Sequence, residues 1–388
     1  MNPFTPSPLY LDHPASTRPA DEVIEAMLPW LREGHANPHA DNRHGQRAAA
    51  AVQAARAQIA ASIGADPSEI VFTSGATEAN NLALRGVWPR ASIHGRLAIS
   101  AIEHKSVLET AKDLASAGLT LIDVPADRYG CIQPQALREA TSATTGPLWV
   151  SCAHANNELG SVQDIGALAH TVRELEGHLH VDAAQSLGKV ALNVAEWDVD
   201  LASLSSHKIY GPSGIGALFV SAPLRARMRP QITGGGQEEG LRSGTVPVFL
   251  AVGFGKAVEL ADRRRVDDAR HLDAVVLAFA NQLQASGVAH RILSPTAGGL
   301  PGLVSLQLLE IDAADLLDRM APEISASTGS ACSTGELRAS HVLRAIGMSE
   351  AQAGQVVRIG FGRDNTPEQA RWVAQQIAQR VRHMHAVV

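Results

Sequence analysis

Short apolar runs alternate with amphipathic helical stretches between residues 48 and 220, and this alternation constrains the fold more than any other feature of the chain. Helical patterns lie between several of the runs, as at Ala48–Ile63 and Ile165–Leu175. The candidate strands are Ile70–Thr73, Leu97–Ser100, Leu119–Val124, Leu148–His154, His180–Asp182, Leu201–Ser205 and Ala217–Val220. Strand–helix alternation predicts an α/β fold with a doubly wound, mostly parallel sheet. Ligands of such a sheet bind at the carboxyl ends of its strands.

The second part of the chain has a different pattern. The glycine-rich tract Gly234–Pro247 cannot form a regular helix, and a long helical pattern runs from about Val248 past Val266. A smaller α+β region follows and ends in a helix from Pro367 to the C-terminus. Since 388 residues suffice for two domains, we predict a large domain over residues 15–260. A small domain would combine residues 1–14 and 261–388.

Composition and charge argue against several classes of protein. Charged residues make up 19% of the chain and the formal net charge is −6, which disfavours direct nucleic-acid binding and a polybasic membrane anchor. We find neither a span of about 18 apolar residues nor a signal peptide. Cys131, Cys152 and Cys332 are odd in number and far apart, which fits neither a disulfide framework nor a zinc site. We expect a cytoplasmic protein that binds no metal, membrane or nucleic acid.

A lysine stands at the end of one predicted strand, in the motif SSHKIYGPSGIG that begins at Ser205. Lys208 could bond an aldehyde cofactor, while Ser205 and His207 supply hydrogen-bond donors to its phosphate. A surface lysine at a strand end is the plain alternative.

Two more motifs join strand ends to turns or helices. In VDAAQS, Asp182 ends an apolar strand, and a protonated pyridine nitrogen would be a partner for its buried carboxylate. In TSGATEAN, the backbone N–H groups at a helix start, together with the helix dipole, would form an anion site. The alternatives are an aspartate that caps the next helix and an ordinary helix capped by Ser74 or Thr77.

Three single residues carry further chemistry. His104, in AIEHKSV, could stack on a flat ring and move protons near neutral pH, or it could be structural. Cys332 lies among small polar residues in SASTGSACSTG, which favours a reactive thiol in an exposed loop over an inert buried one; an incidental surface cysteine is the other interpretation. Arg358 stands in the apolar run VVRIGFGR and could bind a carboxylate through two hydrogen bonds or form a structural ion pair.

The order of these motifs resembles the cysteine desulfurases, a branch of the class V aminotransferase group with the fold type I architecture of pyridoxal-phosphate enzymes. The resemblance runs from Tyr10-Leu11-Asp12-His13 to about Arg363, and its most specific parts are SGATEANN, HANNELG, VDAAQS, SSHKIYGPSGIGAL, GGGQEEGLRSGT and TGSACSTG. It implies pyridoxal 5'-phosphate as cofactor, L-cysteine as substrate, a homodimer and a sulfur-acceptor protein. The implied reaction gives L-alanine and a persulfide on Cys332.

The resemblance also implies a role for each site residue. Lys208 would bond the cofactor, His104 would stack on its ring, and Cys332 would be the nucleophile. The implied cofactor contacts are Asp182 at the pyridine nitrogen, Gln185 at the ring hydroxyl, Asn157, Ala76, and a phosphate cradle of Thr77, Ser205 and His207, with Thr245 reaching a phosphate across a dimer interface. The implied contacts of the substrate carboxylate are Arg358, Asn157 and, as a helper, Asn37.

The loop around Cys332 is similar to that of one subgroup of this family. The cysteine lies in a long Ser/Thr/Gly run similar to the long-loop subgroup, which serves general sulfur delivery such as iron–sulfur cluster assembly.

Four positions depart from the pattern of this family. Asn42 replaces an expected histidine, Ser206 a glycine, Glu239 a common arginine and Gly360 a usual serine.

The chain ends at RVRHMHAVV, without the further tail of housekeeping iron–sulfur desulfurases. A specialised acceptor, serving DNA sulfur modification, tRNA thiolation or nitrogenase assembly, therefore fits equally well. The competing hypotheses are a selenocysteine lyase, another pyridoxal-phosphate-dependent transferase, and a catalytically retired scaffold protein.

Overall fold

A computed structural model describes residues 3–4, 7–88, 94–328 and 340–387 of the chain. The helices in these ranges are α1 Asp21–Arg32, α2 Arg43–Ile63, α3 Ala76–Gly86, α4 Lys105–Ser116, α5 Pro134–Thr141, α6 Ile165–Glu174, α7 Ala222–Arg225, α8 Val248–Ala285, α9 Ala313–Met320, α10 His341–Ala345, α11 Glu350–Ala353 and α12 Pro367–Val387. The strands are β1 Leu9–Tyr10, β2 Ile70–Thr73, β3 Arg96–Ser100, β4 Thr120–Val124, β5 Leu148–Ala153, β6 His178–Asp182, β7 Leu201–Ser205, β8 Gly216–Val220, β9 His290–Ile292, β10 Leu303–Leu308, β11 Ile324–Ser325 and β12 Val356–Gly360. None of these helices is both long and apolar enough to cross a membrane.

Seven strands form one large sheet in the order β2-β8-β7-β6-β5-β3-β4. Neighbouring strands from β7 to β4 run parallel, whereas β8 is antiparallel to both β2 and β7. The predicted α/β fold with a mostly parallel seven-stranded sheet is confirmed, and every predicted strand lies within two residues of its observed bounds. The reversal of β8 is the feature that the sequence pattern did not predict.

Both faces of this sheet are covered by helices. Alternate residues of each strand point to opposite faces, so Ile70 and Phe72 pack with α2, α6 and the first part of α8, whereas Val71 packs with α3 and α4. Because the strands are buried on both sides, they are nearly continuous apolar runs such as LWVSCA in β5.

A second core lies around the three-stranded antiparallel sheet β12-β10-β9. It contains Leu9 and Leu11 from the N-terminus together with side chains of α9 and α12. Helix α8 belongs to both cores, because its buried residues up to Ala261 pack in the first and those from Leu272 onward pack in the second. The two-domain division with a boundary near residue 260 stays a prediction.

Candidate active site

A cleft of about 410 Å³ lies where the carboxyl ends of β2, β3, β5, β6 and β7 meet, as predicted for a doubly wound sheet. The residues named from the sequence that line it are Ala76, Thr77, His104, Asn157, Asp182, Gln185, Ser205, His207, Lys208 and Arg358. Asn37 and Thr245 do not line it and are exposed on the surface of the single chain. Cys332 lies outside the described residues.

One end of the cleft is built to receive an anion. Helix α3 begins there with Gly75 as its N-cap, and no side chain caps its first N–H groups, so neither Ser74 nor Thr77 has the alternative capping role. The hydroxyl of Ser205 is fully buried beside it and has no hydrogen-bond partner in the described structure. A Cβ at Gly216 would lie 2.7 Å from the Cα of Gly75, so glycine is required for this close approach.

His207 completes this end of the cleft. Its Nδ1 lies 3.1 Å from the hydroxyl of Ser16. Burial, and then the charges of Lys208 and Lys189, lower the pKa of His207 to about 4. The ring is therefore neutral at pH 7 and can offer a hydrogen bond to an anion without a charge.

Asp182 lies buried at the end of β6. Its Oδ2 accepts a 2.8 Å hydrogen bond from Nδ2 of Asn80, and its Oδ1 accepts one of 3.0 Å from the backbone N–H of Ala184. A carboxylate has about four acceptor positions, so both oxygens retain capacity for a cationic N–H in the cleft. Sequence reasoning missed Asn80, although an asparagine between Ala79 and Ala83 on the buried face of α3 is a signal.

The side chain of Lys208 is held by the N-terminal segment. Its Nζ donates to the carbonyl oxygens of Pro14 and Ala15, each at 2.6 Å. Gln185 Nε2 donates to the same Pro14 oxygen at 2.8 Å, and Gln185 Oε1 accepts from Lys189 Nζ at 3.4 Å. Burial, and secondarily the charge of Lys208, lower the pKa of Lys189 to about 7. The carbonyl contacts from residues 14 and 15 could not be foreseen, since backbone oxygens carry no sequence signature.

Arg358 lines the cleft and also forms an ion pair with Asp12, so both of the roles considered for it from the sequence remain open. Its Nη2 donates to Asp12 Oδ1 at 2.7 Å and its Nη1 to the Asn157 carbonyl at 3.2 Å. The guanidinium is buried, and its Nε–H has no partner in the described structure. Arg358 therefore has a donor left for a carboxylate that enters the cleft.

Glu103 lies fully buried beneath the cleft and was not predicted from the sequence. Its Oε1 accepts hydrogen bonds from the Ser100 hydroxyl and from the Ala153 backbone N–H, the latter at 2.7 Å. Burial, together with the nearby charge of Asp182, raises the pKa of Glu103 to about 8. The Glu103 side chain is thus a neutral acid at pH 7 that ties the end of β3 to the end of β5.

The two described cysteines lie apart from this cleft. Cys152 is buried within β5 and Cys131 is half-buried. Burial raises the pKa of both thiols, and the charges of nearby carboxylates add to the effect. Both groups are therefore protonated and weakly nucleophilic at pH 7.

Comparison with known proteins agrees with this geometry. The family model described as aminotransferase class-V matches residues 9–373. The cysteine desulfurase IscS of Neisseria meningitidis serogroup A is 39% identical over 378 residues, which cover 97% of this chain and 92% of the relative. The chain belongs to the cysteine desulfurases of the class-V aminotransferase family.

Other cysteine desulfurases and solved structures are similar over almost the whole chain. The mitochondrial cysteine desulfurase of Drosophila melanogaster is 39% identical and covers 97% of this chain and 81% of its own. A NifS-like protein matches with a TM-score of 0.88 at 32% identity, covering 97% of this chain and all of its own. The structure of SspA in complex with cysteine matches with a TM-score of 0.80 at 37% identity, covering 91% of this chain and 98% of the SspA chain.

Cysteine desulfurases of this family depend on pyridoxal 5'-phosphate, and the residues of the cleft fit this cofactor. The start of α3 and the unpartnered Ser205 hydroxyl match a phosphate. The Asp182 carboxylate matches a protonated ring nitrogen, and Lys208 supplies an amine. When bound, the cofactor supplies an aldehyde that bonds to amines and a ring that withdraws electrons.

Proposed function

We propose that this cysteine desulfurase retains the sulfur of L-cysteine as a persulfide on Cys332 and passes it to an acceptor protein, with L-alanine as the other product. The observation that carries the proposal is the convergence of Lys208, Asp182 and Arg358 on one cleft, because these residues supply an amine, a ring-nitrogen partner and a carboxylate partner. The cysteine bound in the SspA structure supports the choice of substrate.

The substrate would be held at its carboxylate. Arg358 offers its unpartnered Nε–H, and Asn157 lies next to it through the hydrogen bond from Arg358 to the Asn157 carbonyl. With the carboxylate held there, Lys208 Nζ would remove the proton from the substrate Cα.

Cys332 is the cysteine best suited to take the sulfur. Cys131 and Cys152 have thiols with raised pKa values and do not line the cleft. In the proposed step, the Cys332 sulfur forms a bond to the substrate sulfur while the Cβ–S bond breaks. The bonding electrons stay with carbon, which takes a proton and becomes the methyl group of alanine.

We also propose a cytoplasmic homodimer. The exposed position of Thr245 supports this, since a residue on the surface of one chain can reach the phosphate in a second copy. Asn37, which is also exposed, would then help to bind the substrate from outside the single-chain cleft. The IscS names among the relatives support iron–sulfur cluster assembly as the pathway.

The test is release of alanine and sulfide from L-cysteine with a thiol reductant. The parent protein should release both in equal amounts, and Cys332→Ala should retain the absorbance of bound cofactor but lose turnover. Cys131→Ala is the matched control and should keep full activity. Unchanged turnover in Cys332→Ala would refute the persulfide role. A parent that binds cofactor but turns over only selenocysteine, or nothing, would support the lyase or the scaffold hypothesis.

A further inference from the structure

His104 is linked to Asp182 by a continuous chain of hydrogen bonds through two residues that have no assigned role. His104 Nδ1 lies 2.8 Å from Ser106 Oγ, and Ser106 Oγ lies 2.8 Å from Asn80 Nδ2. Asn80 Nδ2 in turn lies 2.8 Å from Asp182 Oδ2. These hydrogen bonds join two of the groups proposed to face the cofactor ring. Which atom donates and which accepts in each bond follows from the chemistry of the groups.

The direction of these bonds begins at Asp182. An ionised carboxylate only accepts hydrogen bonds, so Asn80 must turn its NH₂ group towards it. The second hydrogen of the same NH₂ group then points to Ser106 Oγ, which accepts it. Asn80 is completely buried, so water cannot replace either bond. The Ser106 hydroxyl is left with its own hydrogen to donate, and His104 Nδ1 lies within reach.

His104 Nδ1 also receives a second donor. His104 is the N-cap of α4, and the backbone N–H of Ser106 points at Nδ1 from 3.1 Å. Since a backbone N–H can only donate, a hydrogen on Nδ1 would face it directly. Both donors from Ser106 therefore require an unprotonated Nδ1, and the neutral ring must carry its hydrogen on Nε2. Nε2 makes no hydrogen bond to the described part of the chain.

The surroundings of the ring favour this neutral form. Partial burial is the largest effect and lowers the pKa of His104, although the ring faces the open cleft. Lys208, His341 and Lys105 lower the pKa of His104 further, whereas Asp182 raises it. The positive end of the α4 dipole acts in the same direction as the lysines.

We propose that Ser106 and Asn80 are positioning residues that hold His104 as a neutral ring with its hydrogen on Nε2, and that they tie this tautomer to Asp182. His104 then presents a fixed N–H donor at Nε2, while its basic nitrogen Nδ1 is directed to the two donors of Ser106. This inference rests on the proposed function for the position of the cofactor ring. It narrows the earlier prediction that His104 moves protons to the hydrogen on Nε2.

The test is a measurement of tautomer and pKa by NMR on protein with ¹⁵N-labelled histidine, with and without pyridoxal 5'-phosphate. His104→Gln identifies the His104 signals by their loss. The parent should show a hydrogen on Nε2 and an unprotonated Nδ1 at pH 7. Ser106→Ala should raise the ratio of the Nδ1–H form to the Nε2–H form about fivefold, as expected for one lost hydrogen bond.

Two further variants separate this role from a general structural one. Ser106→Thr keeps the hydroxyl and should restore the parent tautomer ratio. Asn80→Ala frees the Ser106 hydroxyl to rotate and should shift the ratio in the same direction as Ser106→Ala. An Nδ1–H ring in the parent, or an unchanged ratio in Ser106→Ala, would overturn the proposal. Because this readout does not depend on turnover, loss of the persulfide role in the Cys332→Ala assay would leave it intact.

Discussion

Replacement of the buried Glu103 by glutamine should flatten the dependence of stability on pH. In the unfolded chain the Glu103 carboxyl ionises near its ordinary pKa of 4.5, whereas in the folded protein it stays protonated up to about 8. Between these values the folded state binds one more proton than the unfolded state, so its stability falls as pH rises through this window and levels off above it. One pKa unit corresponds to about 1.4 kcal/mol.

The expected magnitude follows from this window. Between pH 5.5 and pH 8 the Glu103 carboxyl should cost the parent roughly 3 kcal/mol of unfolding free energy. Glutamine keeps an oxygen that can accept from the Ser100 hydroxyl and the Ala153 N–H. The Oε2 atom that it replaces has no partner in the described structure, so the amide N–H groups of Glu103→Gln add a cost that does not change with pH.

The assay is urea denaturation of parent and Glu103→Gln at pH 5.5, 7 and 8. Between pH 5.5 and pH 8, the stability of the variant relative to the parent should rise by roughly 3 kcal/mol. Glu109→Gln, on the exposed face of α4, is the matched control and should follow the parent. Parallel curves for parent and Glu103→Gln would refute a protonated Glu103.

Two other substitutions test the cofactor cradle and the buried ion pair between Arg56 and Glu238. Ser205→Ala should weaken cofactor binding by about tenfold or more, the effect of one lost hydrogen bond to a charged group, as measured by cofactor absorbance during dialysis; Ser206→Ala, equally buried but outside the cleft, should not. Arg56 makes two hydrogen bonds to the buried Glu238 at 2.7 and 2.8 Å, so Arg56→Met should cost about 3–5 kcal/mol in urea denaturation. The double variant with Glu238→Gln should recover part of that loss, and equal instability of both variants would contradict the ion-pair argument.

The sheet could be predicted from the sequence because burial on both faces leaves a clear pattern of apolar runs. The reversed direction of β8 could not, since GALFV has the same composition in either direction. The long helix was predicted from Val248 past Val266, and the structure continues it to Ala285 because a second core takes over its buried face.

Most cleft residues were predictable because they stand near the end of a strand or the start of a helix, whereas Arg358 was marked by its charge within an apolar strand. The residues that hold them in place were not, since their importance comes from contacts between distant parts of the chain. Asn80 and Asp182 are 102 positions apart, and Pro14 and Lys208 are 194 apart. Glu103 stands directly before the predicted His104, but only the structure shows that its side chain points down into the core.

Gly216 pairs with Thr73 of β2 on one side and with Ser205 of β7 on the other. This one row of paired residues therefore sets the positions of the start of α3, the Ser205 hydroxyl and the loop that carries Lys208 relative to one another. Since neighbouring residues along a strand are about 3.4 Å apart, a shift of β8 by one residue would move the lysine loop by about the length of a hydrogen bond. The position of Lys208 relative to the anion-binding end of the cleft therefore depends on the register of β8 between β2 and β7.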